Sequence, residues 1–261
     1  MSHAPALPPE VHEAVRTLAN ADRLLVASDF DGTMAPIVEN PADAAPLPAT
    51  EAALSALAAL PRTVVAVISG RSLAVLTQLT DLPESVHLIG SHGAELDDSF
   101  ATGMTADERA RLAEINRRAH EVAERFLGIE VEQKPASTAI HYRHVPDDDR
   151  PRAIEAIQAG ACDVDGVHVT TGKMVVEVAA LPTSKGIALD RLRRQQNATA
   201  VVFVGDDVTD EDAFTRLAEP DVAVKVGEGQ TAATHRIADT AAVAHLLTEL
   251  ARARSEFVRE S

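Results

Sequence analysis

The segment Ser28-Asp29-Phe30-Asp31-Gly32-Thr33 offers the clearest chemistry in this chain. It overlaps the end of the apolar run Leu24–Ser28, which predicts a buried parallel strand. Binding and catalytic sites of open α/β sheets lie at the carboxyl ends of the strands. Two carboxylates placed two residues apart on such a loop, Asp29 and Asp31, can take different roles in one reaction.

The same segment has two simpler interpretations. Asp and Gly favour turns, so Asp29 and Asp31 could serve only to cap the next element. An EF-hand calcium loop is also acidic, but it needs a Gly later in the loop and a Glu at its end. The sequence has neither at those places, so we favour a catalytic site.

A second acidic loop ends another apolar run. Val201–Val204 predicts a buried strand, and Gly205, Asp206 and Asp207 follow it, with Asp210–Asp212 shortly after. Two acidic strand ends that face one cleft repel each other, and a hard cation with oxygen ligands relieves the repulsion, which predicts Mg²⁺. Asp210–Asp212 can instead cap a helix, but capping does not explain Asp206.

Two short segments predict an anion site near these carboxylates. Ser69-Gly70-Arg71 ends the apolar run Thr63–Ser69, and Ser184-Lys185-Gly186 opens a predicted helix. A hydroxyl, a lysine and the N–H groups of a helix N-terminus together bind anions. The formal charge of −16 disfavours anions at long range, so a phosphate site here would depend on a bound cation and these few basic groups.

Alternating strand and helix patterns predict the scaffold that positions these loops. They flank a middle segment and favour an α/β fold, a doubly wound parallel sheet. The middle segment carries a long amphipathic pattern at Asp107–Phe126 and half-exposed strand patterns, which predict an inserted α+β cap domain. We place the core at residues 1–97 and 183–261 and the cap at 98–182. In the core, Thr50 is expected to cap a helix over Glu51–Leu60, and Glu211–Leu217 is expected to be helical.

Composition restricts the compartment and the partners. The 261 residues include one cysteine, Cys162, so no internal disulfide can form and a reducing, cytoplasmic location is expected. We find neither a secretory signal pattern nor an apolar run long enough to cross a bilayer. The acid excess argues against nucleic acid and anionic membranes as partners, because no basic stripe overrides it.

Taken in chain order, these segments resemble the haloacid dehalogenase-like (HAD) phosphatases. Four core motifs carry the resemblance: Asp-x-Asp-Gly-Thr from Asp29, Ser-Gly-Arg from Ser69, Ser-Lys-Gly from Ser184 and Gly-Asp-Asp-x-Thr-Asp-Glu from Gly205. Three further segments resemble the trehalose-6-phosphate phosphatase branch: Gly90–Glu95, His141–Arg143 and Gly172–Val178. The chain departs from that branch at Ala179–Pro182, where a basic residue before Pro is frequent.

The resemblance implies a step of trehalose biosynthesis and assigns catalytic roles. Asp29 would attack phosphorus and carry the phosphoryl group as an aspartyl-phosphate. Asp31 would protonate the departing sugar oxygen and then deprotonate the attacking water. Ser69 and Lys185 would bind the non-bridging phosphate oxygens.

The resemblance also implies a set of metal ligands. Mg²⁺ would be held by the side chain of Asp29, the main-chain carbonyl of Asp31 and the side chain of Asp206. Asp207 and Asp210 would support them.

The remaining candidates would bind the sugar phosphate. They are Thr33, Gly70, Arg71, His92 and Glu95 in the core and Lys134, His141, Arg143, Lys173 and Glu177 in the cap. Charged side chains supply the paired donors and acceptors that sugar hydroxyls need. With no Trp and a single Tyr, Tyr142, stacking on the sugar is not expected to dominate. A trehalose-phosphate synthase is the expected source of the substrate.

Three other functions share these motifs. The core motifs do not separate trehalose 6-phosphate from sucrose phosphate, a glucosylglycerol-type phosphate or another disaccharide-like phosphate. A phosphomutase shares the aspartyl-phosphate but returns the phosphoryl group to a sugar. A sugar-phosphate sensor with a decayed catalytic centre is the third, although the intact Asp29, Asp31, Ser69, Lys185 and Asp206 argue against it.

Overall fold

The computed structural model describes residues 7–95, 104–172 and 174–260, which divide into two compact units. Over those residues, unit 1 comprises 7–93 and 184–260, and unit 2 comprises 94–95, 104–172 and 174–183. Asp97 and Asp98, where the sequence placed the first boundary, lie outside the described residues. The role of unit 2 in substrate specificity stays a prediction.

Strands and helices alternate through unit 1 and are interrupted by unit 2. The strands are β1 Leu24–Ser28, β2 Thr63–Ile68, β3 Val86–Ile89, β4 Glu130–Gln133, β5 Ser137–His141, β6 His168–Gly172, β7 Val175–Ala179, β8 Ala200–Gly205, β9 Val222–Val226 and β10 His235–Ile237. The helices are α1 Pro9–Ala19, α2 Pro48–Ala58, α3 Leu73–Leu79, α4 Ala106–Arg125, α5 Arg150–Ala159, α6 Lys185–Gln196, α7 Glu211–Phe214 and α8 Thr240–Glu260. Within the described ranges, no helix combines the length and apolar character needed to cross a bilayer.

The sheet of unit 1 has the strand order β10-β9-β8-β1-β2-β3, and every neighbouring pair is parallel. All five residues of β1 are buried, because the strand has a neighbour on each side and cover on both faces. Helices α1 and α2 pack against α8, and their apolar side chains join those of the strands in one core. The predicted α/β fold with a doubly wound parallel sheet is confirmed.

The register of this sheet sets where the loops emerge. Ser28, the last residue of β1, lies opposite Val67 of β2 and Val204 of β8. The chain therefore leaves all three strands at the same edge of the sheet. The three motifs that follow these strands are brought together by strand pairing alone.

Unit 2 has a separate antiparallel sheet in the order β4-β5-β7-β6. Helix α4 packs against β4 and β5 and buries Ile115, Ala119 and Val122. A capping box formed by Thr105 and Glu108 starts this helix and satisfies two main-chain donors. The predicted α+β character of the inserted segment is confirmed.

Two helix ends differ from the sequence prediction. Helix α2 begins at Pro48, with Leu47 in the capping position, and Thr50 is buried inside the first turn. Thr50 is therefore not the cap, because Pro is favoured in the first turn, where its missing N–H costs nothing. Helix α7 ends at Phe214, since the next residues tighten into turns in which Leu217 N–H donates to the Phe214 carbonyl.

Arg254 of α8 is fully buried near the end of the sheet opposite the acidic loops. Its guanidinium donates to the main-chain carbonyls of Ala19, Ala21, Asp22 and Arg62 and to the Thr63 hydroxyl. These contacts join the end of α1 to the start of β2. Arg254 is therefore a cation that serves the fold.

We expect Arg254→Met to lower the free energy of unfolding by about 2–4 kcal/mol, because several buried carbonyls lose their donor. Urea denaturation measures the change. Arg252→Met on the same helix is the matched control, because Arg252 is exposed and its side chain pairs with Glu256. We expect this variant to lower the free energy of unfolding by about 0.5 kcal/mol or less. Equal effects of the two variants would contradict the structural role of Arg254.

Candidate active site

The two acidic loops meet beside β1 and β8 in unit 1. The Asp29 N–H continues the pairing of the strands by donating to the Val204 carbonyl at 2.8 Å. Carboxylate oxygens of Asp29, Asp206 and Asp210 lie within 4.8 Å of one another. The structure thus brings together the carboxylates that the sequence assigned to one cleft.

Lys185 opens α6 and lies between two of these carboxylates. Ser184 caps the helix by accepting a hydrogen bond from the Ile187 N–H, which fixes the position of the residue that follows it. The Lys185 Nζ lies 2.6 Å from Asp29 Oδ1 and 2.7 Å from Asp210 Oδ1. Burial alone would lower the pKa of Lys185, but the attraction of both carboxylates outweighs it and raises that pKa, so the side chain stays charged.

Asp210 is fully buried and supports the loop after β8. Its Oδ2 accepts the N–H groups of Asp206 and Asp207, both at 2.9 Å, while its Oδ1 faces Lys185. Gly205 leaves room for this carboxylate, because an added Cβ would lie 2.3 Å from Asp210 Cγ. Asp210 therefore uses its acceptors within the protein and fixes the main chain that presents Asp206.

Asp29 and Asp206 fit a metal ion. Their carboxylate oxygens lie within 4.8 Å of each other, and burial raises the pKa of both carboxyls, so the space between them favours a positive charge. Gly32, at φ +77°, makes the approach sterically free, because an added Cβ would lie 2.0 Å from Asp206 Oδ2. Carboxylate oxygens of this kind suit a hard divalent cation. The geometry favours Asp29 and Asp206 as metal ligands, while Asp210 supports the main chain of Asp206.

Asp31 is held by an arginine, Arg71, from the loop that follows the neighbouring strand β2. Arg71 Nε lies 2.7 Å from Asp31 Oδ2, and Arg71 Nη2 lies 2.6 Å from Asp31 Oδ1. Arg71 Nη1 donates to the Pro41 carbonyl at 2.8 Å, and its guanidinium carbon lies 5.4 Å from the centroid of the Phe30 ring. Asp29 and Asp31 are thus paired with different cations.

A cavity of about 660 Å³ opens over these groups, a size typical of small-molecule sites. Its lining includes Asp29, Asp31, Ser69, Gly70, Arg71, His92, Lys185, Asp206 and Asp207. Thr33 is buried, and its hydroxyl donates to Asp206 Oδ1 at 3.2 Å, which helps to hold that carboxylate in place. Asp207 is exposed, and its Oδ1 accepts the Val208 N–H at 2.7 Å.

Ser69, Gly70, Arg71 and His92 line the cavity and contact one another in pairs. The Ser69 Oγ is buried and accepts the Arg71 N–H at 3.2 Å. Gly70 has no side chain because His92 occupies the space, and an added Cβ would lie 2.5 Å from His92 Cε1. His92 itself has a left-handed backbone, with φ 54° and ψ 28°, a conformation of a kind that is concentrated at functional sites.

Lys225 is a residue of the site that the sequence analysis did not predict. It lies on β9 opposite Gly205 of β8, is 5% exposed, and donates to the main-chain carbonyl of Asp206. The available signal was one charged residue inside the otherwise apolar strand Val222–Val226, since a fully buried lysine needs a partner. Lys225 therefore belongs to the machinery that holds the second acidic loop.

Unit 2 carries its own polar cluster. Lys134 Nζ lies 3.4 and 3.5 Å from the two carboxylate oxygens of Glu177 and 3.9 Å from Glu95 Oε1. The Ser137 hydroxyl donates to Glu177 Oε1 at 2.8 Å. Glu95 is thus part of unit 2, whereas the sequence placed it in the core. The cluster offers both donors and acceptors to a polyhydroxyl ligand.

The other cap candidates lie apart from this cluster. His141 shares its face of the sheet by alternation along β5, but its Nε2 lies 3.0 Å from Glu132 Oε2. Arg143 is exposed after the end of β5. Lys173 lies outside the described residues.

Known proteins are similar to this chain in sequence and in fold. The trehalose-phosphatase family model matches residues 27–243. A trehalose-phosphate phosphatase of Mycobacterium marinum is 35% identical over 93% of this chain, which spans 66% of that protein's length. An uncharacterized glycosyl hydrolase of Mycobacterium tuberculosis is 34% identical over 93% of this chain, which spans 19% of its length.

Solved structures give the same result. The trehalose-6-phosphate phosphatase of Aspergillus fumigatus superimposes with a TM-score of 0.66 and 27% identity, covering 95% of this chain and 100% of that one. The C-terminal domain of the Candida albicans enzyme shares the fold, with a TM-score of 0.64, 23% identity and coverage of 96% and 99%. The acidic cluster and the family together imply a metal ion at the site. Since the matched residues include all four core motifs, the chain belongs to the trehalose-phosphatase family.

Proposed function

We propose that this chain hydrolyses trehalose 6-phosphate to trehalose and inorganic phosphate through an aspartyl-phosphate on Asp29. One observation carries the proposal: the Asp29 carboxylate lies at the tip of β1, in a cavity, between the Lys185 ammonium and the Asp206 carboxylate. A nucleophile flanked by a fixed cation and a metal-binding acid is the arrangement that phosphoryl transfer needs.

In the first step an Asp29 oxygen bonds to phosphorus, and the bond from phosphorus to the sugar oxygen breaks. Asp31 gives that oxygen its proton, so the sugar leaves as an alcohol. In the second step Asp31 takes a proton from water, whose oxygen bonds to phosphorus as the bond to Asp29 breaks. Inorganic phosphate leaves, and both carboxyl groups return to their starting states.

The cations of the site offset the charge that the phosphoryl group brings. Lys185 lies against Asp29 and would approach the phosphate oxygens, together with the Ser69 hydroxyl that lines the same cavity. Mg²⁺, held by the carboxylates of Asp29 and Asp206 and the main-chain carbonyl of Asp31, would neutralise negative charge at phosphorus. At short range both would attract a phosphorylated substrate, which the formal charge of −16 disfavours at long range.

Each unit by itself carries polar groups that suit a sugar. Lys134, Glu95 and Glu177 supply a preformed set of donors and acceptors in unit 2, and their charge strengthens hydrogen bonds to hydroxyls. His92 and Gly70 line the cavity of unit 1. The relatives named trehalose-phosphate phosphatases support trehalose 6-phosphate as the substrate, and a trehalose-phosphate synthase would supply it.

Phosphate release from a panel of sugar phosphates tests the proposal. With Mg²⁺ present, we expect trehalose 6-phosphate to be the best substrate, chelation by EDTA to stop turnover, and added Mg²⁺ to restore it. Full activity in EDTA would remove the metal from the mechanism. Rapid turnover of sucrose 6-phosphate with none of trehalose 6-phosphate would replace the substrate, and phosphoryl transfer to a second sugar without phosphate release would indicate a phosphomutase.

A further inference from the structure

The contacts of Arg71 are directed into the protein. Its Nε and Nη2 form a fork with both oxygens of Asp31, and its Nη1 donates to the Pro41 carbonyl. The Phe30 ring lies beside the guanidinium, and the Arg71 N–H is fixed by the Ser69 hydroxyl. The side chain is 13% exposed. An arginine held at this many points has little freedom to follow a ligand.

A phosphate-binding arginine directs its planar fork at the phosphate oxygens. Here the fork is already matched to a carboxylate, at distances typical of strong charge-assisted hydrogen bonds. A phosphate that took the fork would leave Asp31 without its partner. Lys185 and Ser69 remain for the phosphate, so the site does not need Arg71 for that purpose.

Asp31, in contrast, needs outside support. It stands in a loop three residues beyond β1, and its side chain is 36% exposed. An acid–base group acts efficiently only when its carboxylate is held within hydrogen-bond reach of the reacting oxygen, and a free side chain loses this orientation. Arg71, which is fixed by Pro41, Phe30 and Ser69, supplies a rigid reference for it.

We propose that Arg71 is a positioning residue that fixes the orientation of the Asp31 carboxylate and does not bind the sugar phosphate. The inference rests on the role proposed above for Asp31 as acid and base. It predicts that Arg71 matters only for reactions in which Asp31 matters.

Substrates with different leaving groups distinguish an Arg71 that positions Asp31 from an Arg71 that binds the phosphate. A sugar alkoxide leaves poorly without a proton, whereas 4-nitrophenolate leaves without one, so an acid catalyst accelerates only the first. The ratio kcat/KM reports the steps up to loss of the leaving group and is not affected by the later attack of water. We therefore compare kcat/KM for trehalose 6-phosphate with that for 4-nitrophenyl phosphate.

We expect Arg71→Met to lower kcat/KM for trehalose 6-phosphate by about 10²-fold, within the range of an acid–base contribution, and that for 4-nitrophenyl phosphate by no more than a few-fold. Arg71→Lys keeps the charge but loses the two parallel hydrogen bonds to Asp31. Its kcat/KM for trehalose 6-phosphate should lie between those of the native protein and of Arg71→Met. Inhibition by inorganic phosphate should be unchanged. In an Asp31→Asn background, Arg71→Met should add almost no further loss, because the two residues act as one unit.

Arg62→Met is the matched control, because Arg62 pairs with exposed Asp22 at the other end of the sheet; it should leave both ratios unchanged. Equal losses on both substrates with weaker inhibition by phosphate would overturn the inference and make Arg71 a phosphate ligand. Additive losses in the Asp31→Asn background would also overturn it. If Asp31→Asn alone shows no preference for the sugar phosphate, the proposed role of Asp31 fails instead. Should Arg71→Met not fold, Arg71→Lys carries the same comparisons.

Discussion

Asp29→Asn is expected to abolish phosphate release, with kcat falling by at least about 10³-fold, because a neutral amide cannot attack phosphorus. The fold should survive, since Asn has the same shape and Lys185 keeps its contact with Asp210 at 2.7 Å. A continuous phosphate assay measures the activity, and thermal unfolding measures the fold. Mass spectrometry of the acid-quenched enzyme should find the phosphoryl adduct in the native protein and none in the variant.

The matched control for this substitution is Asp22→Asn. Asp22 is an exposed aspartate whose side chain pairs with Arg62 at the far end of the sheet, so its loss should leave kcat unchanged. A variant at Asp29 that keeps a tenth of the native activity would rule out this residue as the nucleophile. The catalytic centre would then have to be sought at Asp206 or Asp31.

The parts of the fold that the sequence predicts best are the apolar strands of the parallel sheet. Leu24–Ser28 was predicted with the bounds that the structure has, and the run Thr63–Ser69 exceeds the strand Thr63–Ile68 by one residue. Short apolar runs bounded by polar residues leave few alternatives to a strand in a parallel sheet. The edge strand His235–Ile237 was not predicted, because three residues are too few to show a period.

The acidic residues of the site were predictable for a related reason. They follow the carboxyl ends of predicted parallel strands, and these ends lie at one edge of the sheet, so the sequence predicts that they share this edge. The pairing of Arg71 with Asp31 and of Lys225 with Asp206 could not be read in the same way. Both pairs depend on which strand lies next to which, and that order is set by the whole sheet.

Lys185 is a second residue whose contacts the sequence could not predict. The sequence predicts it as a ligand of the phosphate, and the structure places its ammonium between Asp29 and Asp210, 2% exposed. In that position its positive charge also reduces the repulsion among the carboxylates of Asp29, Asp206 and Asp210. Its effect on the fold and its effect on catalysis are therefore expected to be separable.

Lys185→Met is expected to lower kcat by at least about 10²-fold, because the phosphoryl group loses a fixed cation. It is also expected to lower the free energy of unfolding by about 3–5 kcal/mol, because removing one partner of a buried ion pair leaves the other charge unpaired. Steady-state kinetics and urea denaturation measure the two effects. Arg194→Met, on the exposed side of the same helix α6, is the control and should change neither.

The double variant Lys185→Met, Asp210→Asn separates the two roles. Removing the ammonium leaves three carboxylates without a counter-charge, and neutralising Asp210 returns the net charge of the cluster to its native value. Much of the lost stability should therefore return, because repulsion in the cleft is relieved. Activity should stay low, because Asp29 still lacks the cation that would meet the phosphate. Recovery of activity together with stability would mean that Lys185 acts on catalysis only through the fold.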